Sequence, residues 1–462
     1  MRRKLNMLAT THTKTQKGQS LNALMFRKLM PMLIFAYVIS FLDRTNISLA
    51  KTHMAVDLGI SAAAYGFGAG LFFLTYALME VPSNLIMHRV GARLWITRIM
   101  ITWGLLSAGM AFITDETTFY IARALLGAAE AGLFPGVMLY LTYWFGREQR
   151  ARASGYFLIG VCLANIISGP VGGLLLEMDG IWGWHGWQWL FFLEGIPAVL
   201  FSIVIWRKLP DGPSTASWLS KEQVTEVEQV LKKEHDEEIA SGNVGHSFKG
   251  VLKIPQIWLA IAVYFLHQVS VYSVIFFLPG IIGTYGGLSS LQIGLLNSIP
   301  WIAAALGAAF LPKYATTPKI SRKIMFGGLL LMSAGLTLAA FTTPLIALIG
   351  FTLTASMFFV VQPVIFLFAS SRLAGAGMAA GLALVNTFGI TGGFFGPSLL
   401  GFVEQTTGST KNGLIIVAAL LTLAAFLSLK LRQAQETITT KTRDNIVLPQ
   451  AAPCITDNAR TK

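Results

Sequence analysis

The run KLMPMLIFAYVISFLDRTNISLA, Lys28–Ala50, decides how this chain is read. A helix of that length spans roughly 34 Å, enough to cross a hydrocarbon layer of about 30 Å. Comparable runs follow at 63–86, 94–113, 118–142, 152–176, 187–207, 256–280, 291–311, 323–341, 344–368, 378–403 and 411–431. The expected fold is therefore an all-α membrane protein with twelve transmembrane helices.

Composition supports that class. The 462 residues are 54% hydrophobic and 12% charged, against roughly 25% charged in an ordinary soluble domain. So few charges cannot cover so much apolar surface in water, whereas a lipid bilayer as partner removes the need. The net charge is +13, but lysine and arginine fall in short segments between the apolar runs and at both ends. No basic stretch interleaved with aromatics tracks a nucleic acid, so none is expected as a partner. Cys162 and Cys454 build neither a disulfide framework nor a thiolate metal site, and no cofactor or metal is expected. Phosphate-cradling, zinc-protease and nucleophile-elbow motifs are missing, so the chain is not read as an enzyme. Residues 1–26 lack a cleavable signal pattern, and the first span is expected to direct its own insertion.

The charges also orient the chain. Arg27, Lys28, Arg89, Arg93, Arg147, Arg150, Arg152, Arg207, Lys208, Lys313, Lys319, Arg322, Lys323, Arg372, Lys430 and Arg432 fall on one side of the spans, while the other side holds Lys51 and Lys411. Basic loops stay in the cytoplasm, which places both termini there and the protein in the inner (plasma) membrane. A long polar segment splits the spans six and six. The expected division is a tail to residue 27, a helical bundle over 28–208, a linker over 209–255, a second bundle over 256–432 and a tail over 433–462. Within the linker, about 220–239 carries a helix start signal and spaced Val and Leu, consistent with an amphipathic helix that either stays solvated or docks. The halves echo one another. Gly169-Pro170 is followed seven residues later by Glu177, and Gly396-Pro397 by Glu404, while Pro135 and Pro363 hold comparable places. Such repetition accompanies transporter architecture.

Ionisable groups inside the spans point to function, because each costs roughly 2.5–3.5 kcal/mol at a helix centre unless paired or wetted. The first run holds Asp43 and Arg44 with Asn46 close by; the fourth holds Arg123 and Glu130, seven residues apart on one helix face. Arg44 or Arg123 offers a planar fork to a carboxylate, and Asp43 or Glu130 can take a proton when desolvated. An ion pair that only fixes packing is the competing reading for Asp43 and Arg44. The C-terminal runs offer neutral polar groups instead: His267, Gln268, Tyr272, Asn297, Gln362 and Asn386. These suit hydroxyls or a neutral substrate end, or hydrogen bonds between helices. Tyr76 faces either a cavity or the core, and Trp182, Trp184, Trp187 and Trp189 are expected to form an interfacial belt.

The segments Phe41-Leu-Asp-Arg-Thr-Asn-Ile47, Val81-Pro-Ser-Asn84 with Gly91-Ala-Arg93, Arg123-Ala-Leu-Leu-Gly-Ala-Ala-Glu130-Ala-Gly-Leu-Phe-Pro-Gly136, Tyr140-Leu-Thr-Tyr-Trp-Phe145, Gly186-Trp-Gln-Trp-Leu190 and Glu194-Gly-Ile-Pro197, with Asn386, Gly392-Gly393 and Gly396-Pro397, resemble the anion:cation symporter family of the major facilitator superfamily. The resemblance runs from about residue 28 to 432. It implies two six-helix bundles, alternating access, and proton-coupled uptake of small organic carboxylates such as sugar acids, tartrate or aromatic acids by a monomer. It also implies that Asp43 and Glu130 handle protons, that Arg44 meets the substrate, and that Tyr76, Arg123 and Asn386 support it. The superfamily's loop after the second span reads Gly-x-x-x-Asp-Arg-x-Gly. Here Arg89, Gly91 and Arg93 remain, but Asn84 and His88 stand in the motif and the gating aspartate is missing. Sugar-acid members often carry a polar residue near Val161, which is apolar here. The competing expectation is a non-transporting receptor that signals the same anion through 220–239.

Overall fold

The computed structural model describes residues 2–240, 248–371, 373 and 376–432. Arg372, Cys454, the tail 433–462 and linker residues 241–247 lie outside them. The spans are α1 (Leu21–Leu58), α2 (Ala62–Val90), α3 (Ala92–Phe112), α4 (Glu116–Thr142), α5 (Arg147–Leu176), α6 (Gly186–Lys208), α7 (Pro255–Gly283), α8 (Ser290–Tyr314), α9 (Pro318–Phe341), α10 (Pro344–Ser370) and α12 (Lys411–Ser428). The remaining one, α11, joins Ala376–Ile390 to Gly392–Thr407 across Thr391. The architecture is thus all-helical, with twelve spans in two six-helix bundles.

The first span is longer than its apolar run, because the helix continues from Arg2 through Leu58. Lys51 was expected in a loop beyond the first span. It lies instead within α1, buried, because α1 runs seven residues further. The loops at 59–61, 113–115, 177–185, 284–289, 342–343 and 408–410 share one end of the molecule, here called the odd-loop end.

The spans are not uniform rods. In α4 the helix stops at Glu130; Ala131 turns extended, and Gly132 takes φ +95° before a second helical piece begins at Leu133. Only glycine adopts that φ without strain, and Pro135 supplies no N–H to bridge the break. The freed Ala131 carbonyl accepts a hydrogen bond from Ser83 Oγ at 2.7 Å, so the interruption is satisfied inside the bundle. The consequence is positional: Glu130 sits at the end of a half-helix.

The bundles meet along two seams. On the first, α2 runs antiparallel to α11, with the Gly66 and Gly70 backbones against Pro397, Phe394 and Gly401. On the second, Gly169 and Gly173 of α5 lie against Gly294, Ser290 and Leu291 of α8. Small residues permit such backbone approach, which replaces the hydrophobic drive that lipid cannot supply. Ser298 Oγ donates to Ile166 O at 2.7 Å, and Tyr65 Oη donates to Phe276 O at 3.1 Å. The two echoed glutamates reach across these seams. Glu177 accepts the Leu291 N–H at 3.2 Å, and Glu404 takes Lys51 Nζ at 2.6 Å.

The expected linker helix forms as Lys221–Ala240. It docks beneath the first bundle: Trp218 stacks on Trp144 at 5.4 Å, and Glu234 accepts the Arg147 N–H at 3.0 Å.

Candidate functional site

Asp43 and Arg44 are adjacent in sequence and therefore leave α1 about 100° apart. They serve different neighbours. Arg44 Nη2 forms an ion pair with Glu130 Oε1, and Ser40 Oγ, one helical turn earlier, donates to the same oxygen at 2.6 Å. Asp43 instead accepts from Trp103 Nε1 and, at 2.8 Å, from Ser107 Oγ, both on α3. The competing reading, an Asp43–Arg44 pair that only fixes packing, is not among the ion pairs of the described residues.

The Arg44–Glu130 pair is almost wholly buried yet incompletely satisfied. Arg44 Nε and Glu130 Oε2 have no partner. Aromatic faces surround the guanidinium: Phe41 at 4.7 Å, Tyr76 at 5.1 Å and Phe72 at 5.2 Å. Such faces attract a cation without neutralising it. Tyr272, from α7 of the other bundle, stands beside Arg44 and packs at a tilt against Phe73 with ring centres 4.0 Å apart. The pair therefore lies where the bundles meet.

Arg123 belongs to the same region but is not paired. Its carbon Cζ lies 5.0 Å from the centre of the Phe72 ring, and Nη2 donates weakly to Ala69 O at 3.3 Å. Its Nε and Nη1 have no partner, although the residue is fully buried. Seven residues of helix put Arg123 and Glu130 roughly 10 Å apart along α4, too far for direct contact. A buried guanidinium with free donors is built for an anion.

On the other bundle, Gln268 is occupied by its neighbour, with Oε1 3.1 Å from His267 Nδ1. Asn386 Nδ2 donates to Glu80 Oε1 at 2.7 Å, and Thr387 Oγ1 to Glu80 Oε2 at 2.9 Å. This α2–α11 contact is the deepest of the inter-bundle hydrogen bonds described above, counted from the odd-loop end. Gln362 donates to Tyr264 Oη at 3.1 Å.

The loop motif lacking its aspartate finds one elsewhere. Arg93 donates its backbone N–H to Asp211 Oδ1 at 2.9 Å, and its Nε lies 3.7 Å from Oδ2. Gly91 takes φ +93°, and Arg89 is exposed. The bond ties the α2–α3 turn to the end of α6 within one bundle. Of the expected tryptophan belt, Trp182 is exposed, but Trp187 and Trp189 are buried, and Trp187 Nε1 donates to Asp57 at 2.8 Å.

Sequence reasoning gave no site role to four ionisable side chains here. Glu80 lies in the second apolar run and Glu194 in the sixth, so the cost of intramembrane charge flagged both, whereas Glu404 stands one residue past the eleventh. Lys51 was concealed by a helix longer than its apolar run. Trp103 and Ser107 carried no signal, because their role follows from helix packing.

The chain matches the Major Facilitator Superfamily over residues 33–397. It is 39% identical over 433 residues, 93% of this chain and 95% of the other, to an Agrobacterium vitis protein described as a candidate tartrate transporter. It is also 39% identical over 402 residues, 85% of this chain and 91% of the other, to a quinolone resistance transporter of Acinetobacter baumannii. The xylose transporter XylE from E. coli, in an inward open conformation, superposes with TM-score 0.71 over 89% of this chain and 99% of that one at 16% identity, a likeness of fold alone. By sequence over most of its length and by its paired helical bundles, the chain belongs to the Major Facilitator Superfamily and is a membrane transporter.

Proposed function

We propose that the chain is a proton-coupled symporter that carries a small organic carboxylate such as tartrate into the cell. The observation that carries this reading is Arg123, a fully buried guanidinium with unpartnered Nε and Nη1 beside the Arg44–Glu130 pair. An entering carboxylate gains both guanidiniums. Taking over the fork of Arg44 leaves Glu130 as a buried carboxylate without its cation, a state costing about 3–5 kcal/mol that a proton relieves. Anion entry and proton entry are thereby linked through one ion pair. Asp43 serves the same coupling from a face of α1 about 100° away. Tyr76, Tyr272, Gln268 and Asn386 hold the neutral end of the substrate.

The working division is the one set by the linker: bundles over 28–208 and 256–432, joined by 209–255. Both termini and the basic loops face the cytoplasm in a bacterial-type plasma membrane, and the single chain is the working unit. With the odd-loop end outside, the packed seams make this the state closed to the exterior. Arg89, Gly91 and Arg93 act at the cytoplasmic turn, where Asp211 replaces the motif's own aspartate.

Proteoliposomes under an imposed pH gradient test the reading with labelled tartrate as probe. Wild-type protein is expected to accumulate tartrate, and Glu130→Gln to exchange it without gradient-driven accumulation. Accumulation that ignores the gradient and survives Glu130→Gln would overturn proton coupling. Binding without flux would favour a receptor.

A further inference from the structure

The face of α1 opposite Arg44 carries a second polar cluster that the ion pair does not use. Asp43 and Asn46 are each 1% exposed, and Glu194 of α6 is 6% exposed. The Asp43 charge and the Asn46 side chain both act on the Glu194 carboxyl. The close approach of Gly195 to Gly104 and Ala108 presses α6 onto α3, which holds Glu194 at the level of Trp103 and Ser107. Asp43 is the charged group facing it from α1. From α3 come Trp103 and Ser107, and neither titrates.

The hydrogen bonds of this cluster do not balance unless a proton is added. Asp43 already accepts two donors, so its ionised form is provided for. Both oxygens of Glu194 and both polar atoms of Asn46 have no partner. An ionised Glu194 would stand next to a second carboxylate, buried and without a cation, which the membrane interior penalises heavily. A protonated Glu194 offers an O–H donor and a carbonyl acceptor, and the Asn46 amide offers N–H donors and a carbonyl acceptor. The two complete each other: the acid O–H donates to Asn46 Oδ1, and Asn46 Nδ2 donates to the acid carbonyl.

We propose that Glu194 and Asn46 form a proton-binding site of their own, adjacent to Asp43 and separated from the Arg44–Glu130 pair by the body of α1. Losing that proton places two carboxylates side by side and pushes α1 away from α6. Gaining it draws them together. Since α1 also carries Arg44, proton occupancy at this site sets the position of the anion-binding arginine. This consequence rests on the transport reading, whereas proton binding itself does not.

Infrared difference spectra of the reconstituted full chain, recorded between acid and neutral pH without substrate, test the site. The carboxylic-acid carbonyl band of Glu194 is expected to vanish in Glu194→Gln, to persist in Glu130→Gln, and to shift to higher frequency in Asn46→Ala, where the amide partner is gone. Should Glu194→Gln fail to fold, the Asn46→Ala shift remains as the readout. A full protonated-carboxyl band surviving in Glu194→Gln, or no shift in Asn46→Ala, overturns the proposal. Because tartrate takes no part, a failure of tartrate transport would leave this result standing.

Discussion

Replacing Gly173 by alanine tests whether the packed seam between α5 and α8 belongs to one state of an alternating machine. A Cβ at this position would lie 2.6 Å from Ser290 O and 2.7 Å from Leu291 Cα, both backbone atoms of α8 in the other bundle. Carbon contacts settle at about 3.5–4.0 Å, so the helices must part by roughly 1 Å. Backbone cannot swing aside as a side chain can, and overpacking of this kind costs about 1–3 kcal/mol. If the state with this seam open is free of the clash, its population relative to the closed state rises about 5- to 150-fold. Spin labels on cysteines at Val56 and Tyr285, both exposed at the odd-loop end on opposite bundles, would read the shift as a longer distance, on a background lacking Cys162 and Cys454. Gly104→Ala is the control. Its Cβ meets Gly195 O and Val199 Cγ2 at 2.8 Å, within one bundle, and should lower the melting temperature without lengthening the distance. An unchanged distance distribution in Gly173→Ala, or an equal change in Gly104→Ala, refutes the reasoning.

Lys51→Met and Glu404→Gln should each loosen the odd-loop end in the same spin-label assay, since each breaks a 2.6 Å ion pair between a buried lysine and a half-buried glutamate. The double variant should be less perturbed than the sum, with a coupling of roughly 1 kcal/mol; additivity would mean that the pair does not latch the bundles. Glu80→Ala removes the acceptor of both Asn386 and Thr387. Cross-linking between cysteines on the α2 and α11 segments around these residues should slow, and an unchanged rate would show the contact to be incidental.

Membership of a class is written in one-dimensional quantities, and these were legible. Twelve apolar runs, a polar linker after the sixth and basic residues collected on alternate sides need no knowledge of which helix touches which, because lipid imposes length and apolarity on each span separately. The paired Gly-Pro and Glu spacing was likewise visible, and both glutamates prove to bridge the bundles. Partner choice was not legible. Asp43 and Arg44 look like a pair in the sequence, yet a turn of about 100° per residue sends one to Trp103 and the other to Glu130. Asn386 shows no partner in the sequence, yet its amide donates to Glu80, 306 positions away. Lys51 reads as a loop residue but is buried against Glu404. Each of these outcomes depends on how far a helix extends, where it breaks and which face a distant helix presents. Those are properties of packed backbones, and they arise only when helix packing brings residues 60 to 353 positions apart within hydrogen-bond reach.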